Sequence, residues 1–182
     1  MLYDACVLYP APLRDLLIQL ASDGLHRAKW SDRIHDEWIR NVLKNNPNLT
    51  QEKLEKTKQL MNAAVLDCVV NGYEEIEPSL SLPDLDDRHV LAAAIVSSSD
   101  VIVTFNIKDF PRENLDSYGI EAQHPDKFIC HLLELNRDNV INSVARIHGR
   151  LKNPPFSVNE YLSILERQGI NEGVSLIRRY WV

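Results

Sequence analysis

The stretch DDRHVLAAAIVSSSDVIVTF, residues 86–105, decides the fold class of this chain. Its second part, Asp100–Phe105, is apolar and β-branched, which is typical of a buried central strand. Its first part has helical spacing, with acids at the start that suit a helix N-terminus. A helix that leads into a buried strand predicts a parallel α/β sheet. Four apolar residues share one face of that helix: Val90, Leu91, Ala94 and Ile95.

Strands and helices alternate on both sides of this unit. Residues 2–9 and YGIEAQ (118–123) have the composition of strands, and a further short strand is an option around Tyr73–Ile76. After residue 125 the pattern is helical only, with breaks at Asn153-Pro154-Pro155 and Gly169. The chain is therefore predicted to be an α/β domain with a helical C-terminal extension. Apolar periodicity predicts the remaining helices at 12–23, 31–46, 50–70, 126–135, 138–151, 157–168 and 171–180.

Length and composition fit one ordinary domain, or one domain with a helical appendage. The 182 residues are 45% hydrophobic and 25% charged, which is typical of a soluble globular protein. No apolar run approaches the ~18 residues of a membrane span, and no secretory signal pattern opens the chain. The three cysteines are far apart and lack C-x-x-C spacing, which argues against zinc or a disulfide framework. These features predict a cytoplasmic protein without a membrane partner.

The net charge of −6 argues mildly against a protein that coats nucleic acid. It does not exclude an enzyme that meets a phosphodiester through metal ions, because such an enzyme gathers its carboxylates in one place.

Six acids map to one edge of the predicted sheet. In an open parallel sheet, sites form outside the carboxyl ends of the strands. Asp4 lies near the end of the first strand, Asp109 lies just past the strand that ends at Phe105, and Glu37 lies on a neighbouring helix. Carboxylate ligands of this kind suit hard cations such as Mg²⁺ or Mn²⁺. The remaining acids open the helix that feeds the central strand: Asp84, Asp86 and Asp87.

Four segments in this order resemble PIN-domain nucleases, and within them toxins of the VapC type. The resemblance covers about residues 1–130. It implies a Rossmann-like three-layer α/β/α fold and a metal-dependent endoribonuclease whose products carry a 5′-phosphate and a 3′-hydroxyl. The segments are YDACVLY (3–9) with Asp4, IHDEWIRN (34–41) with Glu37, DLDDRHVLAAA (84–94) with Asp87, and VIVTFNIKDFP (101–111) with Asn106 and Asp109.

The resemblance also implies roles for individual residues and partners. Asp4, Glu37, Asp87 and Asp109 become the catalytic acids, and all but Glu37 would ligate Mg²⁺ or Mn²⁺. The implied partners are an RNA substrate and a cognate antitoxin, with a homodimer left open. Thr104, Asn106 and Asp84 are candidate supporting residues. Phosphate contacts fall to cations near the motifs: Arg40, Arg88 and Lys108.

The chain departs from the family pattern at three places. Some relatives carry Asp where Asn106 stands, which makes Asn106 a polar ligand or a holder of water. Only three residues precede Asp4, so either the first strand is short or the start lacks residues. Residues 131–182 exceed the minimal nuclease domain 1–130 and look like the helical extension of larger toxins. Their apolar stripes predict packing on the nuclease domain, on another subunit or on the antitoxin.

Two other functions remain open. A phosphatase with an aspartate nucleophile would want a second acid two residues after Asp4, where this chain has Cys6. A catalytically silent binding module would use the acids only to contact a partner. Between the adjacent acids, Asp86 is expected to cap the helix and Asp87 to hold the metal.

Overall fold

A computed structural model of the chain describes residues 1–152 and 155–181. Three short parallel strands pair in the order β1-β2-β3. Leu2 of β1 lies opposite Ile102 of β2, and Ile102 lies opposite Ala122 of β3. This register brings the first residues of the chain beside residues a hundred positions later. The strands are β1 (Leu2–Tyr3), β2 (Val101–Val103) and β3 (Glu121–Gln123).

Single-residue bridges continue the sheet beyond β1. Lys29 pairs in parallel with Leu2, and Trp30 pairs in parallel with Val69. The backbone N–H of Trp30 donates to Cys68 O at 2.9 Å. β1 is therefore covered on both sides although it spans only two residues, which keeps its backbone groups paired away from water.

Nine helices surround the sheet within the described ranges. The structure confirms the predicted α/β class with a helical C-terminal region. Helix α7 carries non-helical backbone angles at Asn136, between the two helices predicted there. The predicted break at 153–155 falls partly outside the described residues. The helices are α1 (Ala5–Leu8), α2 (Ala11–Ser22), α3 (Asp32–Asn45), α4 (Gln51–Ala64), α5 (Arg88–Val96), α6 (Arg112–Leu115), α7 (Pro125–Arg150), α8 (Val158–Glu166) and α9 (Asn171–Trp181).

Three predicted boundaries are wrong. Residues 4–9 are not strand, because the chain turns into α1 directly after Tyr3. Helix α4 ends at Ala64 rather than near residue 70, since residues 68–70 pair with Trp30 instead. Residues 73–76 form a turn and not a strand. For residues 68–70 a backbone pairing distant in sequence sets the local conformation, whereas residues 5–8 and 73–76 are closed by local hydrogen bonds.

The sheet lies between helices on its two sides. Helix α5 packs on β1 and β2. On the α7 side, the ring of Phe128 meets the ring of Tyr3 edge-on, with 6.4 Å between their centroids. Leu2, Tyr3, Ile102 and Val103 are fully buried. The packing of helices on both faces explains why β1 and β2 are apolar throughout rather than alternating. Within the described ranges, no helix is both long and apolar enough to cross a membrane.

The C-terminal helices pack on the domain that carries the sheet. Asp126 in the first turn of α7 accepts the backbone N–H of Glu172 at 3.0 Å and of Gly173 at 2.7 Å, so it satisfies the open end of α9. Gln168, in the loop between α8 and α9, accepts the backbone N–H of Leu13 in α2 at 3.1 Å. Of the three packing alternatives left open by the sequence, the structure therefore shows the first. The predicted boundary at residue 130 falls inside α7 and stays a prediction.

Asp126→Ala should lower the free energy of unfolding by about 1–2 kcal/mol, because two backbone donors of α9 lose their acceptor. Chemical denaturation followed by circular dichroism measures the change. Asp138→Ala is the matched control, since Asp138 is exposed on the same helix and, among the described residues, pairs only with its neighbour Arg137. Equal loss in both variants would contradict an anchoring role for Asp126.

Candidate active site

Asp4 follows β1 directly and is buried, with 4% of its surface exposed. Its Oδ2 atom accepts two hydrogen bonds, from Thr104 Oγ1 at 2.6 Å and from Cys6 Sγ at 3.0 Å. Within the described residues no hydrogen-bond donor reaches Oδ1. One oxygen of this carboxylate is therefore held by the protein, and the other remains available to a ligand.

Thr104 follows β2 and links Asp4 to the neighbouring loop. Its hydroxyl oxygen accepts the backbone N–H of Asn106 at 2.9 Å while the hydroxyl donates to Asp4. The backbone N–H of Phe105 donates to Cys6 Sγ at 3.2 Å. The ends of β1 and β2 are thus tied together by side chains as well as by the sheet. The Asn106 side chain is exposed and is free of protein hydrogen bonds among the described residues.

Glu37 lies on α3, which begins where Ser31 accepts the backbone N–H of Ile34. Its Oε1 atom lies 2.9 Å from Nε2 of His89 and 3.7 Å from Nε of Arg33. Arg33 also pairs with Glu77 at 2.9 Å. Arg33 is therefore occupied by two carboxylates.

The acids before α5 take different parts from those predicted. Asp84 caps the turn Leu85–Asp87, because its Oδ1 accepts the backbone N–H of Asp86 at 2.9 Å. The expectation that Asp86 provides the cap is wrong: Asp86 is exposed and supplies the donor. Asp87 is half-buried and makes no capping bond to α5. Its carboxylate is therefore not used to cap the N-terminus of α5.

The charges of the predicted acids act on the pKa of Asp87. Burial, and then the negative charges of four neighbours, raise the pKa of Asp87 from 3.8 to about 7. Burial alone raises the pKa of a carboxyl group, and nearby like charges raise it further. The four neighbours, in order of effect, are Asp4, Asp84, Asp109 and Glu37.

Asp109 reaches this cluster from the turn Ile107–Asp109, directly after β2. Its backbone N–H donates to Asn106 O at 2.9 Å, and its side chain is half-buried. Asp109 is thus one of the acids whose charges act on Asp87, with Asp4, Asp84 and Glu37.

No three side chains of His, Cys, Asp or Glu in residues 1–152 and 155–181 stand close enough to hold a metal ion. The chemistry of the cluster nevertheless fits a hard divalent cation. The donors are carboxylate oxygens, which Mg²⁺ and Mn²⁺ prefer, and their repulsion would be relieved by positive charge. Asp4 Oδ1, Asp87 and Asp109 would have to come closer together to hold one.

The predicted phosphate-binding cations differ in their exposure and in their hydrogen bonds. Arg40 and Lys108 are exposed, and Arg88 uses Nε to donate to Leu85 O at 3.0 Å. None of the three forms an ion pair with another described residue. By contrast, Arg33 and Arg112, which also lie near the motifs, pair with acids of the protein.

Two residues at the cluster were not predicted as part of the site. Cys6 donates its S–H to Asp4. Burial and the charge of Asp4 raise the pKa of Cys6, so its side chain stays a thiol. His89 is fully buried, and its Nε2 atom lies 2.9 Å from Glu37 Oε1. The i+2 spacing of Cys6 from Asp4 and of His89 from Asp87 is a weak signal that could have suggested both.

The parallel sheet and the acids beyond its carboxyl edge can be compared with those of known protein families. The chain belongs to the PIN-domain family, since the model described as "PIN domain" matches residues 1–108. A second family model, "VapC50 C-terminal domain", matches residues 125–179.

A protein of Mycobacterium tuberculosis (strain ATCC 25618 / H37Rv), named "Putative ribonuclease VapC50", is 39% identical over 97 residues. The match covers 53% of this chain and 57% of that protein, so the chain spans little more than half the length of this relative. No solved structure matches the chain significantly.

Asp87→Asn should stabilise the metal-free protein at pH 8. Because the folded pKa of about 7 lies above the ordinary 3.8, Asp87 favours folding fully only below pH 3.8. That contribution is lost as the pH rises through 7. With allowance for solvent screening of a half-buried group, we expect a gain of about 1–2 kcal/mol, or roughly 2–8 °C in Tm.

Thermal unfolding in EDTA at pH 4 and pH 8 measures this effect, and the gain should shrink towards pH 4. Asp86→Asn is the control, because Asp86 is exposed and is not among the charges that act on Asp87. A gain that is the same at both pH values would contradict the repulsion argument.

Proposed function

We propose that the chain is a metal-dependent endoribonuclease and the toxin of a toxin–antitoxin pair. Asp4, Glu37, Asp87 and Asp109 are its catalytic acids, and RNA is its substrate. The observation that carries the proposal is the buried carboxylate of Asp4 at the carboxyl edge of the sheet, with Oδ2 held by Thr104 and Cys6 and Oδ1 without a donor among the described residues. The pKa of Asp87, raised first by burial and then by the charges of neighbouring acids, supports it. Membership of the PIN-domain family and the ribonuclease name of the relative support it.

Asp4, Asp87 and Asp109 would hold Mg²⁺ or Mn²⁺, which supplies activation of water and neutralisation of charge on the phosphate. The protein prepares Asp4 for this by fixing Oδ2 with Thr104 and Cys6, so that Oδ1 needs no reorientation. Thr104 and Asp84 act as supports of the loops, and Asn106 offers an exposed amide beside the cluster.

The proposed reaction is hydrolysis of an RNA phosphodiester. Water adds to phosphorus and the bond from phosphorus to O3′ breaks. The phosphate stays on the 5′ end of one product, and O3′ takes a proton to become the hydroxyl of the other. Arg40, Arg88 and Lys108 are the cations proposed to contact neighbouring phosphates, because none is engaged in an ion pair among the described residues.

Incubation of the purified chain with total RNA tests the proposal. Cleavage should require Mg²⁺ or Mn²⁺, stop with EDTA and yield ends with a 5′-phosphate. No cleavage with either ion would favour a silent binding module instead. Release of inorganic phosphate from a small ester would favour a phosphatase, although Cys6 occupies the position where that enzyme wants its second acid.

Expression of the chain without its antitoxin should arrest bacterial growth, because uncontrolled cleavage of RNA stops protein synthesis. Asp4→Asn should relieve the arrest. Growth curves at matched expression, checked by immunoblot, measure the difference. Equal growth with both proteins would contradict the assignment as a toxin.

A further inference from the structure

His89 is an unusual residue for the interior of this protein. It is the second residue of α5, it is fully buried, and neither ring nitrogen has a hydrogen-bond partner among the described residues. Buried polar groups are nearly always paired, so an unpaired one calls for an explanation. It lies two positions after Asp87 of the acid cluster.

The contact that can explain the buried His89 is the one with Oε1 of Glu37. It lies 2.9 Å from His89 Nε2, which is the length of a hydrogen bond although the angle departs from that of one. A small rotation of the ring or of the carboxylate aligns the pair when Nε2 carries the hydrogen. Glu37 is the group that this buried donor can satisfy.

A second buried histidine provides the comparison. His35 is also fully buried, but its Nε2 lies 3.1 Å from Asn62 Oδ1 and its Nδ1 accepts from Trp38 Nε1 at 2.9 Å. His35 is therefore satisfied inside the core and has no need of a site residue. His89 lacks such partners, and its contact is with a candidate catalytic acid.

We propose that His89 is the positioning residue of Glu37, an inference that rests on the proposed function. Through Nε2 it fixes Oε1, while Arg33 approaches the same oxygen from 3.7 Å. Oε2 is then the oxygen left free for the site. Asp4 shows the same arrangement, with Thr104 and Cys6 on one oxygen only.

The purpose of this contact is to restrict a flexible side chain. Glutamate has three rotatable side-chain bonds, and Glu37 is partly exposed, so it would sample several orientations without a donor. Partners that orient a catalytic or metal-binding group typically change activity when they are lost, even though they do not touch the substrate.

The test compares His89→Leu with His89→Gln in the full chain, using a short RNA that contains a mapped cleavage site. Leucine removes the donor, and kcat should fall about 10–100-fold with KM changed less than about threefold. Glutamine keeps an N–H at the position of Nε2 and should recover most of kcat. If leucine prevents folding, His89→Asn replaces it, since its amide is too short to reach Oε1.

A double-mutant cycle of thermal unfolding, without RNA or metal, tests the contact independently of activity. The change in Tm caused by His89→Leu should differ by at least about 2 °C between the native chain and the Glu37→Gln background. Additive Tm changes, unchanged kcat in the folded leucine variant, or equal loss in both variants would each overturn the inference. A native chain that cuts no RNA but shows the coupling would overturn the proposed function alone.

Discussion

Replacement of Asp4, Asp87 or Asp109 by asparagine should lower the rate of RNA cleavage at least about 100-fold in each case. Each change removes one negative charge and one anionic ligand from the cluster while it keeps the shape of the side chain. The fold should survive, because at Asp4 the amide oxygen still accepts from Thr104 and at Asp87 like-charge repulsion falls. Single-turnover cleavage of a mapped RNA in Mn²⁺ measures the rate, and circular dichroism verifies the fold.

Asp86→Asn is the matched control. It lies next to Asp87 but is exposed, uses only its backbone N–H in the capping bond, and is not among the charges that act on Asp87. Its cleavage rate should stay near that of the native chain. Native rates in all three site variants would remove the acid cluster as the active site.

Removal of α8 and α9, by ending the chain at residue 150, should prevent stable folding. Burial of each large apolar side chain contributes about 1.5–3 kcal/mol, so loss of five costs about 7–15 kcal/mol. That equals the whole stability of an ordinary domain, about 5–15 kcal/mol. Five fully buried residues would be lost: Leu162, Leu165, Ile170, Val174 and Ile177.

Cooperative thermal unfolding is the readout, since a chain without a core shows none. Ile177→Ala offers a graded version that should cost about 2–5 kcal/mol. The control Arg179→Ala on the exposed face of α9 should stay within about 0.5 kcal/mol. A shortened chain with a native-like melting transition would show that α8 and α9 are an accessory and not part of the core.

The regular elements with strong periodicity could be predicted from the sequence. Helix α3 spans Asp32–Asn45 where 31–46 was predicted, because the serine cap and the apolar stripe agree there. The strand within 100–105 and the helix before it were predicted for the same reason. Where local preference and tertiary packing point the same way, the pattern alone is sufficient.

Residues 4–9 and 65–76 show where this reasoning fails. Both contain short apolar runs, and composition alone does not distinguish a strand from a short helix or an extended pairing. In the second segment, residues 68–70 do not continue the helix because they pair with Trp30, some forty positions earlier. That contact leaves no trace in the local sequence.

The candidate site divides in the same way. Its acids follow from motif and topology, because parallel strands bring their carboxyl ends to one edge. The parts played by Cys6 and His89 depend on distances of 3.0 and 2.9 Å between atoms of side chains whose types are common in any core. Only coordinates reveal such contacts.

The pairing of β1 with β2 has a consequence for the timing of synthesis. Asp4 and Thr104 hydrogen-bond across 100 positions, so the candidate active site cannot assemble until the second strand has been made. At about 5–20 residues per second, translation separates the two by roughly 5–20 s. Helix α9, which packs on α7, is made later still. We therefore expect the candidate site to stay incomplete while the stretch between the two strands is being translated.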